Sequence, residues 1–235
     1  MDPSLLLLGK GKLLGIVALN PPKPTTKKPL LIESSICPSD GCQLSVVGDT
    51  FFRIYRYSEG VLSISNEVLP SLDGESFLCH TWLPNEQVAI GSSNSRILII
   101  SGQKTRQSVF LEPAPGYPLP CRVTVIRTTS KGFIAAGHFG TVDIFEKQFD
   151  NNTREETYIC GFKIPLQQSG SGDANGNNNG ALGVPGQSEN VSVKNMAVSG
   201  TEASLILQTD QNVLYRVLLS GIELKVSGSY KVEKV

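Results

Sequence analysis

One stretch of this chain limits what the rest can be: residues 76–112, SFLCHTWLPNEQVAIGSSNSRILIISGQKTRQSVFLE. Four apolar runs, at 77–82, 88–90, 97–100 and 109–111, are separated by Pro84-Asn85-Glu86, by Ser92-Ser93-Asn94-Ser95 and by Gly102-Gln103-Lys104. Runs this short, rich in Ile, Val and aromatics and bounded by Pro, Gly, Asn and Ser, read as strands and not helices. Four strands within about 36 residues make a unit that cannot bury both faces of its sheet alone, which is the size of one β-propeller blade.

The pattern recurs. A unit at about 30–69 carries strands at 31–36, 44–47, 51–57 and 61–64, with Pro38-Ser39-Asp40-Gly41 supplying a tight turn after the first. A third unit, about 121–165, carries strands at 123–127, 132–136, 141–145 and 157–162, with a polar loop at 147–154. A fourth, about 189–226, carries strands at 191–198, 204–207, 213–218 and 223–226. Gly48, Gly91, Gly137 and Thr209 end the second strand of each unit, at separations of 43, 46 and 72 residues. The long last interval contains 167–187, QQSGSGDANGNNNGALGVPGQ, which has too little apolar area to offset its ordering entropy and is expected to be a disordered insertion. Residues 1–20, with apolar runs at 5–8 and 13–19 around Gly9-Lys10-Gly11-Lys12, read as a half blade, and the Pro-rich stretch 21–29 as a linker. The expected fold is all-β: a single domain over 1–235, an incomplete propeller arc of about four four-stranded blades (30–69, 76–113, 121–165, 189–226) plus the half blade 1–20. Such an arc is expected to end in two apolar blade faces that favour association.

Charge excludes several functions. Lys plus Arg is 21 and Asp plus Glu is 21, a formal net charge of zero, so neither nucleic acid nor a membrane surface is an expected partner. No apolar run reaches the ~20 residues of a membrane-spanning helix, and Asp2 stands where a secretory signal would carry basic residues. The five cysteines, Cys37, Cys42, Cys79, Cys121 and Cys160, are irregularly spaced and read as free thiols of a reducing compartment. With only His80 and His138 beside them there is no metal-ligand spacing, and no cofactor or small-molecule substrate is implied. The glycosylation-type triplets at Asn151 and Asn190 are read as chance.

Individual residues point to packing. Trp82 ends an inner strand and reads as a core residue between blades; His80, two residues earlier on the same face, reads as a hydrogen-bonded core histidine with no nucleophile or acid placed beside it by sequence. His138 lies in the turn Gly137-His138-Phe139-Gly140. Gly9-Lys10-Gly11-Lys12 lacks the spacing of a phosphate loop, and Lys23, Lys27 and Lys28 form a solvated patch in the linker. No catalytic, cofactor-binding or metal residue is assigned, and the chain is not expected to be an enzyme.

The repeats are similar to WD repeats, although Tyr55-Arg56, Ile99-Ile100 and Phe145-Glu146 stand where Trp-Asp would close a unit. Four segments, CPSDGCQLSVVGDTFFRIYRYSEGVL (37–62), FLCHTWL (77–83), VAIGSSNSRILIISG (88–102) and SKGFIAAGHFGTVDIFEK (130–147), resemble the N-terminal WD-repeat region of the cilia- and flagella-associated protein 57 family. The resemblance covers most of 5–165. It implies a non-catalytic scaffold module of a motile-cilium axonemal complex, associated with inner dynein arms, with axonemal or dynein-associated proteins as partners. It also implies a location on the cytoplasmic side of the axoneme, and, because the family continues into a second propeller and a coiled coil, that this chain is part of a longer whole. The other reading is a generic cytoplasmic WD-repeat adaptor in complex assembly or trafficking.

Overall fold

The structure is a computed structural model that describes residues 31–49, 51–67, 75–102, 104–149, 151, 155–166, 191–219 and 231–234. Its strands form four four-stranded antiparallel sheets, each a meander whose spatial order follows the chain. The first blade contains β1 (Leu31–Ile36), β2 (Gln43–Gly48), β3 (Phe51–Ser58) and β4 (Val61–Glu67). The second contains β5 (Phe77–Leu83), β6 (Gln87–Ser92), β7 (Arg96–Ser101) and β8 (Lys104–Phe110). The third contains β9 (Arg122–Thr129), β10 (Gly132–His138), β11 (Thr141–Phe149) and β12 (Glu156–Pro165). The fourth contains β13 (Val193–Val198), β14 (Ser204–Thr209), β15 (Leu214–Leu218) and β16 (Lys231–Lys234). The blades stack through their first strands: β1 and β2 on β5, β5 and β6 on β9, β9 and β10 on β13. The result is the expected all-β arc of propeller blades, open rather than closed.

Burial explains which runs were conspicuous. β6, β7 and β10 are covered on both faces, so they read as continuous apolar runs. Ile97, Ile99 and Ile100 on β7 are 0–1% exposed, each stabilising the fold by about 1.5–3 kcal/mol. Outer strands are covered on one face and alternate. β8, KTRQSVF, is polar at most positions, and the run expected at 109–111 marks only its end. The polar stretch 147–154 was expected as a loop, but β11 continues through Lys147, Gln148 and Phe149, which pair with Tyr158, Thr157 and Glu156. Among the described residues the fourth blade's outer strand is Lys231–Lys234, paired with β15. Residues 223–226, the half blade 1–20, the linker 21–29 with its lysines, the insertion 167–187 and Asn190 lie outside the described residues.

The repeat is also written in defects of the ladder. Each inner strand carries one extra residue relative to its neighbour: Ile32, Leu78, Thr124 and Lys194. The residues opposite the start of these bulges are Gly48, Ser92, Gly137 and Thr209, so the second blade's equivalent is Ser92 and not the preceding Gly91. Bulges bend a strand and re-aim the side chains after them. Here they recur at the place where each inner strand meets its neighbouring blade.

The two ends of the arc differ from one another. On the outward face of the first blade Leu44, Val46 and Tyr55 are 0–5% exposed, with Phe51 and Leu62 packed against them. On the outward face of the fourth, Ile206, Leu214 and Arg216 are exposed. Two open apolar faces were expected; the middle of the first is buried while Ile36 and Ile64, paired with Leu44 and Tyr55, are 36% and 49% exposed, and the second carries the charge of Arg216.

Candidate functional site: a polar chain across the inner strands

Inner strands of stacked blades lie side by side, so polar side chains on them can meet although they are far apart in sequence. Glu33 on β1 is the hub. Its Oε2 accepts the backbone N–H of His80 on β5 at 2.9 Å. The same oxygen lies 3.4 Å from His80 Nδ1, close enough for charge attraction but without the alignment of a hydrogen bond. Its Oε1 lies 3.8 Å from Arg127 Nη1 on β9. Arg127 in turn donates from Nε to Met196 O at 3.0 Å and from Nη2 to Asn195 Oδ1 at 3.2 Å, both on β13. One polar chain therefore touches the first strand of all four blades.

The imidazole of His80 is fully enclosed, and its Nε2 meets Ser45 Oγ at 2.6 Å and Ser35 Oγ at 2.7 Å. The two hydroxyls are 3.0 Å apart, and Ser45 Oγ also donates to Ser35 O at 3.2 Å. Beside them Trp82 Nε1 donates to Ser35 O at 3.3 Å. Trp82 is 4% exposed and packs with Phe52, Ile54, Val88 and Ile100, between the first and second blades as expected.

Burial works to raise the Glu33 carboxyl. The adjacent His80 ring, the His80 backbone N–H bond and the Arg127 guanidinium outweigh it and hold the group below its ordinary value of 4.5. Cys79, adjacent to His80, is driven far the other way by burial and by the Glu33 charge, so its thiol stays protonated and unreactive.

Serine, histidine and glutamate in this order resemble the parts of a nucleophilic triad. The arrangement differs in two respects. Two hydroxyls converge on one imidazole nitrogen, and Ser45 is 0% exposed within the sheet stack while Ser35 is half-buried. The group can satisfy buried polar atoms and lock the register of the first two blades against each other.

His80 thus has the serine and glutamate neighbours that sequence spacing did not place, at separations of 35 and 47 residues. The missed signal was the pair Glu33 and Ser35, polar residues two apart on a strand of an apolar meander. His138 ends β10, opposite Arg122, with its ring edge-on to Tyr117 at a centroid distance of 5.9 Å. All five cysteines are free thiols, and among the described residues no three His, Cys, Asp or Glu side chains gather around a metal-sized space.

No family model matches the chain. Cilia- and flagella-associated protein 57 of Mus musculus is similar to it, 22% identical over 232 residues, which covers 83% of this chain and 17% of that protein. The chain thus spans under a fifth of the length of that relative. Among solved structures, the β-propeller domain of Cps50 (Swd1) from Myceliophteria thermophila aligns with a TM-score of 0.60 at 13% identity, covering 87% of this chain and 60% of that one. A protein from Lactobacillus plantarum aligns at 0.59 and 9% identity, covering 87% of this chain and 57% of its own. At such identities the likeness is one of fold, and it agrees with the stacked meanders: the described residues form an arc of β-propeller blades, and the sequence is similar to that of a cilia- and flagella-associated protein.

Proposed function

We propose that the chain is a non-catalytic WD-repeat scaffold module of a motile-cilium axonemal complex, engaged in inner dynein arm assembly or regulation. The observation that supports this reading is the similarity to the mouse cilia- and flagella-associated protein, because it extends over 83% of the chain. Rigid blades bearing exposed turns suit protein binding, and the Ser-His-Glu group described above joins the first two blades. Partners are axonemal or dynein-associated proteins.

The test is expression of the tagged full chain in multiciliated cells, followed by detergent extraction of the axonemes. The reading expects the chain in the axonemal fraction, with reduced retention in cells lacking inner dynein arms. A chain that stays in the cell body would favour the general WD-adaptor reading. Axonemal retention that does not depend on inner arms would remove the dynein part alone.

A further inference from the structure

The outward face of the first blade is closed at its centre, yet its neighbouring blade lies on the other side. Leu44 and Val46 on β2 and Tyr55 on β3 are 0–5% exposed, and the side chains packed with them, Phe51 and Leu62, belong to the same sheet. The opposite face carries Val47, Phe52 and Ile54, which pack with Trp82 of the second blade. Successive residues of a strand point to opposite faces, so the blade that covers Val47 does not also cover Val46. A sheet covered on one face only leaves the other open to water. Here the two middle strands are covered while the rim is open: Ile36 on β1 and Ile64 on β4 are 36% and 49% exposed. The cover is therefore about two strands wide, roughly 10 Å.

Of the longer segments outside the described residues, 1–30 has the right composition and the right attachment. It leads directly into β1 at Leu31 and carries two apolar runs, 5–8 and 13–19, around Gly9-Lys10-Gly11-Lys12, enough for two short strands and a turn. The stretch from 20 to 30 reaches roughly 33 Å when extended, against roughly 15 Å across a four-stranded sheet. Residues 68–74 have to carry the chain from β4 to β5 of the second blade. Residues 167–190 and 220–230 join β12 to β13 and β15 to β16, at the other end of the arc, and 167–187 holds little that is apolar. We propose that residues 5–19 lie across β2 and β3 on the outward face of the first blade, an intramolecular cap that closes this end of the arc and leaves the fourth blade's outward face as the free end. The contact is apolar on both sides, with Lys10 and Lys12 confined to the turn. The cap needs no partner protein, so it stands or falls separately from the ciliary reading.

The full chain is prepared with the photo-crosslinker p-benzoylphenylalanine replacing Ile36 or Ile64, rim positions open enough to carry it without disturbing the core. Irradiation of dilute protein, followed by mass spectrometry of its peptides, identifies what lies over the face. The proposal expects cross-links from both positions to residues 5–19 of the same chain. Introducing Leu14→Asp and Val17→Asp together should abolish those cross-links and raise the emission of the dye ANS, because a charged run no longer covers the apolar face. A cross-linked dimer would overturn the proposal and make a second copy the cover. Cross-links to 68–74, 167–190 or 220–230 would overturn it in favour of another segment. Cross-links confined to the first blade's own strands, or none from either position, would mean that the face is not capped. Undiminished cross-linking in the double aspartate variant would equally contradict it, since apolar contact would then not hold the segment in place.

Discussion

Two neighbouring joints of the arc are held by different physics. Between the second and third blades the apolar core is Cys79, Leu83, Ile97, Ile99, Phe133, Phe145 and Tyr158 with their neighbours, and the buried and half-buried polar contacts that cross the joint, such as Gln107 with the Tyr158 backbone at 2.7 and 2.8 Å and Ser95 Oγ with Cys121 N–H at 2.8 Å, involve no carboxylate or imidazole. Phe133 stacks on Phe145 at 4.6 Å between ring centroids and lies 5.4 Å from the ring of Tyr158. Between the first and second blades an apolar cluster around Trp82 is combined with the Glu33, His80, Ser35 and Ser45 group. Apolar packing is non-directional and insensitive to pH; a buried polar group must be satisfied in one geometry and fails when a member is lost. The first kind of joint supplies stability. The second fixes how one blade sits against the next.

The largest effects should come from the shared apolar component. Phe133→Ala and Trp82→Ala each remove a large ring from a closed cluster and should cost about 3–5 kcal/mol, read as urea midpoints at constant slope. Survival of the fold after Trp82→Ala, with loss only of partner capture in a pull-down, would make Trp82 a binding anchor and collapse the comparison on that side.

His80→Ala comes next, at about 2 kcal/mol, because it takes away the ring nitrogen that the Ser35 and Ser45 hydroxyls share rather than merely opening space. Replacing all three of His80, Ser35 and Ser45 with apolar residues should recover part of the loss. A triple variant weaker than His80→Ala would show that packing, not polar satisfaction, sets the cost.

The smaller effects depend on pH and have opposite signs. Glu33 titrates below its ordinary value, so its contribution is complete above about 4.5 and is lost as pH falls through the lowered folded value. Asp143, on β11 of the third blade, is the reverse case. Burial raises it, and the Thr141 hydrogen bond at 2.6 Å and Lys163 Nζ at 3.5 Å offset this only in part. An acid raised in the folded state stabilises most below its ordinary 3.8 and loses ground as pH rises through the folded value. Glu33→Gln should therefore reduce the acid sensitivity of unfolding, and Asp143→Asn should increase it. Stability curves from pH 7 to 3 for both variants check the signs; matching slopes would contradict the assignment.

The same contrast explains what could be read from the sequence. The apolar joints were legible because β6, β7 and β10 announce themselves as short Ile-, Val- and Ala-rich runs between turn residues. Trp82 followed from its place at the end of such a run. One outer strand was misplaced by several residues: β8 begins at Lys104, and ladder pairing rather than hydrophobicity defines it. Glu33 and Arg127 were missed altogether, since 94 residues separate them and nothing local marks either as half of a pair.

The central claim is that Glu33 and His80 act as one unit that ties the first two blades. A double-mutant cycle with Glu33→Gln, His80→Gln and the pair, measured by urea unfolding at pH 7, tests it directly. The account predicts a coupling of about 0.5–2 kcal/mol. Additivity within about 0.3 kcal/mol would mean that the two residues are neighbours without a shared role, and the polar joint would be reduced to packing.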